Sequence, residues 1–191
     1  MVLFFSRKFF KMQQDHHNQK IIALTGMMGS GKTSIGKRLA KIIDVRFIDT
    51  DFEIEKKAND SIVNIFKNKG EDYFRKLEED TIQEIIKNND EVIILSLGGG
   101  SLIREKTLEL VKKNTLLIWI KADINTLAKR IENRKNRPLI NQGNITETIS
   151  NILDKRIHLY QQAHMEISSD RKISNDFLYD ILKKIKNFSK E

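Results

Sequence analysis

Gly26-Met27-Met28-Gly29-Ser30-Gly31-Lys32-Thr33 decides the fold. The stretch follows the apolar run Ile21–Leu24 and precedes apolar residues at helical spacing, Ile35, Leu39, Ile42 and Ile43. Strand, glycine loop and helix, with the spacing GxxxxGK[ST], spell a phosphate-binding loop. Glycines let consecutive backbone N–H groups turn inward and approach a polyphosphate closely. The helix that follows adds its unpaired N–H groups and the positive end of its dipole. Gly29, Ser30, Gly31, Lys32, Thr33 and Ser34 are therefore the expected nucleoside triphosphate-binding residues. Lys32 would reach the β- and γ-phosphates and the Thr33 hydroxyl would ligate Mg²⁺.

Working outward, apolar runs alternate with helix-period stretches from Lys20 onward. Strands are expected at Ile21–Thr25, Arg46–Asp49, Val92–Ser96, Thr115–Ile120 and, more weakly marked, Met165–Ile167. Val92-Ile93-Ile94-Leu95 and Leu116-Leu117-Ile118-Trp119-Ile120 are apolar on both faces, as strands beneath helices must be. Phe74, Leu77, Ile82, Ile85 and Ile86 line one side of a helix over roughly 71–88. Ile145, Ile149, Ile152, Leu153 and Ile157 do the same over roughly 146–163. The alternation predicts an α/β fold, a parallel sheet with helices on both faces. No repeat or linker divides residues 20–191, which read as one domain. Six of the nine glycines fall in two stretches, Gly26/Gly29/Gly31 and Gly98/Gly99/Gly100. Both follow buried strand candidates, at the carboxyl edge where open α/β sheets bind ligands.

Asp49-Thr50-Asp51 closes the second strand candidate. Two carboxylates one residue apart could serve a metal and a substrate hydroxyl separately. An ordinary N-cap for a helix over Phe52–Lys57 uses the same residue type. Arg75 lies near the start of one helix and Arg156 near the end of another. Each suits a carboxylate or phosphate, and a solvated helix face would explain each equally well. Arg134 to Pro138 holds the only proline in the chain, which disfavours helical geometry at Arg137. With Leu139 to Asn144 it reads as a basic mobile lid over about 134–144. Closing over a triphosphate, Arg137 could stabilise charge on the transferring phosphoryl group.

Composition bounds the rest. At 191 residues, with 39% hydrophobic and 31% charged residues, the chain is large enough for a core of its own. There are no cysteines, which excludes disulfides and thiolate chemistry and suits a reducing cytoplasm. The formal charge is +8. Its lysines are scattered, and no aromatic RNA-binding signature accompanies them, so the excess reads as compositional bias or steering of small anions rather than a nucleic-acid surface. Residues 1–19 read as a frayed extension, with Met12 a second candidate start. Their apolar runs are too short to span a membrane, and arginine and serine are sparse for a transit peptide.

Taken together these residues resemble the shikimate kinases, small members of the nucleoside monophosphate kinase-like group of phosphate-loop proteins. The resemblance covers about Ile21 to Ser169. Its motifs are GMMGSGKT, FIDTD (Phe47–Asp51), DYFRKLEED (Asp72–Asp80), SLGGG (Ser96–Gly100), Arg137-Pro138-Leu139, and Lys155-Arg156 with Leu159-Tyr160. It implies a three-layer sandwich around a five-stranded parallel sheet, and phosphorylation of the 3-hydroxyl of shikimate by MgATP on the way to chorismate and aromatic amino acids. On the same resemblance, Asp51 would hold that hydroxyl and take its proton. Arg75 and Arg156 would grip the carboxylate, with Gly98, Gly99 and Gly100 beside the ring. Lys32 and Arg137 would neutralise the phosphates, and Arg130 would stack on adenine. Thr33 would ligate Mg²⁺ directly, and Asp49 and Ser96 through metal-bound water. The family is mostly monomeric and cytoplasmic. A related small-molecule kinase, such as a gluconate kinase, is the nearest rival, and a phosphate-loop binder without turnover the next. The chain departs from the family at Arg156-Ile157-His158-Leu159-Tyr160, where a proline usually precedes Leu-Tyr, and in its N-terminal extension.

Overall fold

The computed structural model describes residues 20–132 and 145–188. The expected lid over 134–144, Arg137 and the extension over 1–19 lie outside them. Five strands, β1 (Ile21–Thr25), β2 (Arg46–Asp49), β3 (Ile93–Ser96), β4 (Leu116–Lys121) and β5 (Met165–Ser168), pair in parallel in the order β2-β3-β1-β4-β5. Parallel neighbours need crossovers. Among the described residues these are α1 (Lys32–Ile43), α2 (Thr50–Ala58), α3 (Ile62–Lys87), α4 (Glu105–Asn114), α5 (Ile124–Glu132) and α6 (Ile145–Tyr160), with α7 (Asn175–Phe188) after the last strand. None of the described helices is long and apolar enough to cross a membrane.

Strand residues alternate between two cores. Ile22, Leu24, Ile94, Leu116, Ile118 and Ile120 pack with Ile35, Leu39 and Ile43 of α1 and Phe177, Leu178 and Ile181 of α7. Ile21, Ala23, Ile93, Leu95, Leu117 and Trp119 face Ile82 of α3, Val111 of α4, Leu127 of α5 and Ile149 of α6. The result is the expected three layers. A third, separate cluster of Ile54, Ile65 and Phe74 fastens α2 to α3.

Boundaries differ from the sequence reading for local reasons. Thr115 is not in β4: its N–H and hydroxyl both donate to Val111 O and finish α4. α3 joins two helical segments across Gly70: the second matches the helix expected at roughly 71–88, and an additional first segment starts at Ile62, where the Ser61 hydroxyl accepts the Asn64 N–H at 3.2 Å. Gly70, at φ 82°, kinks it, so its two halves do not present one continuous apolar stripe. The helix expected at 146–163 stops at Tyr160, beyond which Gln162 and Ala163 close tighter turns onto Leu159 and Tyr160.

β1, β2 and β3 are neighbours, and their carboxyl ends carry the two glycine stretches and the Asp49-Thr50-Asp51 segment. Leu24 lies beside Ser96, and Ser96 beside Asp49, in register. β1 has β3 on one side and β4 on the other, so the direction of winding reverses there, which opens a crevice above the sheet edge.

Candidate active site

The glycine loop leaves β1 at Gly26, whose φ is +136°. A Cβ at Gly26 would lie 2.3 Å from the backbone oxygen of Ile120, so the chain can take this path only without a side chain. The loop ends at Gly31, the residue before α1. That helix has no side-chain cap and no acid in its first turn. Its first N–H groups are thus left for an anion. Lys32 Nζ donates to Gly26 O at 2.6 Å and Met27 O at 3.0 Å, folding its ammonium back over the loop. Gly29, Gly31, Lys32, Thr33 and Ser34 line an open cleft together with Asp49, Asp51, Ser96, Gly98 and Gly99, which form its other wall.

Asp49 works with both oxygens. Oδ2 accepts the Thr33 hydroxyl at 3.0 Å. Oδ1 accepts the Asp51 N–H at 3.2 Å and caps α2. Asp49 thus both caps α2 and lines the cleft. Thr33, Asp49 and Ser96 offer hard oxygen donors and too few of them to enclose an ion. Among the described residues no group of three or more His, Asp or Glu could hold a metal by itself. Such a set fits Mg²⁺, which keeps several waters and takes substrate phosphates as ligands.

Beyond Asp51 the wall gathers paired charges around the second glycine stretch. A Cβ at Gly98 would lie 2.7 Å from Asp51 Oδ1 and 2.8 Å from Glu78 Oε1. One at Gly100 would lie 2.5 Å from Arg75 Nη2. These glycines make room for charged side chains to converge. Glu78 is buried at 2% exposure. It accepts Arg75 Nη1 at 2.6 Å and the Ser101 hydroxyl at 2.6 Å, so the charge is paired as burial requires. Glu71 accepts Arg75 Nε and Nη2. From α6, Arg156 Nη1 and the Tyr160 hydroxyl both donate to Gly99 O. Burial pushes the Tyr160 phenol up to about 12, against the opposing pull of Arg156. It stays protonated and serves as a hydrogen-bond donor.

A phosphate loop, a carboxylate pair and two arginines around a glycine run occupy one sheet edge. The family model described as shikimate kinase matches residues 28–186. The chain belongs to the shikimate kinase family. A shikimate kinase of Sulfurihydrogenibium sp. is 38% identical over 87% of this chain and 98% of its own length. One of Zymomonas mobilis is 40% identical over 78% of this chain and 83% of its own. A solved shikimate kinase from Acinetobacter baumannii, in complex with shikimate, superposes with a TM-score of 0.82 at 30% identity, covering 92% of this chain and 96% of that one.

Of the residues expected to form a shikimate kinase site, most stand around the cleft or along its glycine wall. Ser30 is buried beneath the loop. Arg130, expected against adenine, spends the edge of its guanidinium behind the loop, on Gly29 O, Ser30 O and Ser169. In-plane bonds of this kind leave the flat face of the group to stack. Arg137 is outside the described residues. His158, where the family has proline, is exposed, and the Arg156 side chain still reaches Gly99. Sequence reasoning passed over Glu78, Ser101, Thr50 and Ser169. Glu78 had one usable signal, its position three residues after Arg75. Thr50 accepts the Gly98 N–H at 3.0 Å and ties the Asp49–Asp51 segment to the second glycine stretch.

Proposed function

We infer that this protein is a shikimate kinase, transferring the γ-phosphoryl group of ATP to the 3-hydroxyl of shikimate to give shikimate 3-phosphate and ADP. The observation that carries the reading is the juxtaposition across Gly98–Gly100. A carboxylate, Asp51, lies on the phosphate-loop side, and two arginines, Arg75 and Arg156, lie on the other. A ring bearing both a hydroxyl and a carboxylate would span that distance with its hydroxyl toward the phosphates.

In this reading Arg75 and Arg156 bind the carboxylate and fix the orientation of the ring. Asp51 accepts the hydroxyl proton as the oxygen attacks the γ-phosphorus, and the bond to the β,γ-bridging oxygen breaks to release ADP. Lys32 and the backbone N–H groups of Gly29–Ser34 hold the phosphates, and Arg137 adds a further cation. Arg130 lies beside the adenine. Thr33 would bind magnesium directly, and Asp49 and Ser96 through its waters. Bound magnesium supplies charge neutralisation on the phosphate oxygens. The enzyme acts as a cytoplasmic monomer built on one domain over residues 20–191, without nucleic-acid or membrane partners.

The test is release of ADP with shikimate, gluconate or a nucleoside monophosphate as the sole acceptor. Turnover is expected with shikimate alone. Turnover with gluconate and none with shikimate overturns the assignment.

A further inference from the structure

The phosphate loop has two sides, and its rear side is held as carefully as its front. A loop that points N–H groups at an anion turns carbonyls the other way, and buried carbonyls need partners. Ser169, fully buried just after β5, supplies them. Its hydroxyl lies 2.6 Å from Ser30 O and 3.1 Å from Lys121 O. Lys121 O already accepts the Ser169 N–H at 2.8 Å, so the single hydroxyl proton goes to Ser30 O. The Ser169 hydroxyl oxygen in turn accepts Arg130 Nη1 at 3.2 Å, and Ser169 O accepts Arg130 Nη2 at 2.6 Å. Arg130 then completes the clasp by donating to Gly29 O at 3.3 Å.

We propose that Ser169 is a positioning residue for the nucleotide: its hydroxyl fixes the Ser30–Gly31 peptide plane and so aims the Gly31 N–H at the phosphates. Among the described residues every peptide bond is trans. In a planar trans peptide the C=O and N–H point in opposite directions. Holding Ser30 O against Ser169 therefore turns the Gly31 N–H away from β5, and Gly31 lines the cleft. Arg130 Nη1 also reaches Ser30 O, but only at 3.5 Å, so without the shorter Ser169 bond glycine at 31, with φ +97° and no Cβ to restrict it, would leave this plane loosely held. The inference rests on the reading of residues 26–33 as the triphosphate site.

The experiment compares ADP affinity by calorimetry, and shikimate KM by turnover, in Ser169→Ala and Ser169→Thr. Ser169→Ala is expected to weaken ADP binding by about 10-fold while leaving shikimate KM unchanged, and Ser169→Thr, which keeps the hydroxyl, to restore binding. Unchanged ADP affinity in Ser169→Ala overturns the proposal. So does a Ser169→Thr variant as weak as alanine, because packing alone would then explain the loss. A reading free of folding defects comes from the wild-type protein labelled with ¹⁵N. The Gly31 amide resonance should move downfield on adding ADP, and a resonance that does not move overturns the proposal whatever the variants do. Lys32→Ala separates the two levels of inference. If it binds ADP as tightly as wild type, the loop is not the nucleotide site and the underlying reading fails on its own.

Discussion

In the proposed reading one wall of the cleft takes the nucleotide and the other the acceptor, and the two are built in opposite ways. The nucleotide wall is one continuous run, Gly26–Thr33, working mainly through backbone atoms and shaped by glycines. The acceptor wall gathers Asp51, Arg75, Glu78, Gly98–Gly100, Ser101, Arg156 and Tyr160 from distant parts of the chain and works through charged side chains. A wall of backbone is sensitive to any change in chain path and tolerant of many side chains. A wall of ion pairs is tolerant in its path and sensitive to the loss of a single partner, because the remaining charge is left buried.

Three substitutions on the acceptor wall sharpen that contrast. Asp51→Asn has the largest expected effect, a fall in kcat of about 10²–10⁴-fold with the protein still folded, read by steady-state turnover. Full kcat in this variant would break the assignment of Asp51 as proton acceptor. Glu78→Gln comes next. It removes a buried charge from Arg75 and is expected to lower unfolding free energy by about 3 kcal/mol, measured in denaturant, and to raise shikimate KM while ATP KM holds. If ATP KM rose equally, the two walls would not be separable. Tyr160→Phe has the smallest effect, since Arg156 still donates to Gly99 O. About a fivefold rise in shikimate KM is expected from one lost hydrogen bond. The same variant changes the alkaline limit. Burial raises the Tyr160 phenol from its ordinary 10.0 to about 12, so the unfolded chain ionises first. Wild type should lose this increment of stability as pH rises from 10 to 12, and Tyr160→Phe should not.

The contrast also explains what could be read from the sequence. The phosphate loop is local, so its spacing and its flanking strand and helix were enough. The strand positions followed from apolar runs, but their order did not, because alternation between helix and strand leaves open which side of β1 each new strand joins. Asp51, Arg75 and Arg156 stood out only beside a motif pattern, since isolated charges have equally good lives on a solvated helix face. Glu78 sits in the run Glu78-Glu79-Asp80, which looks like such a face. Only the packing of α3 against the β3 end turns one of the three inward. Ser169 carried no signal at all, because its role depends on the meeting of β5 with a loop 139 residues earlier.

Asp49 ties these histories together. One oxygen starts α2 and the other holds Thr33, so a single carboxylate is shared between the architecture and the chemistry. Selection for a hardier protein and selection for a faster one cannot act on that position separately. Under the proposed magnesium role, a lineage that alters it must rebuild a helix end and the outer shell of an ion in the same step, a double requirement that narrows which neighbours in sequence space remain accessible.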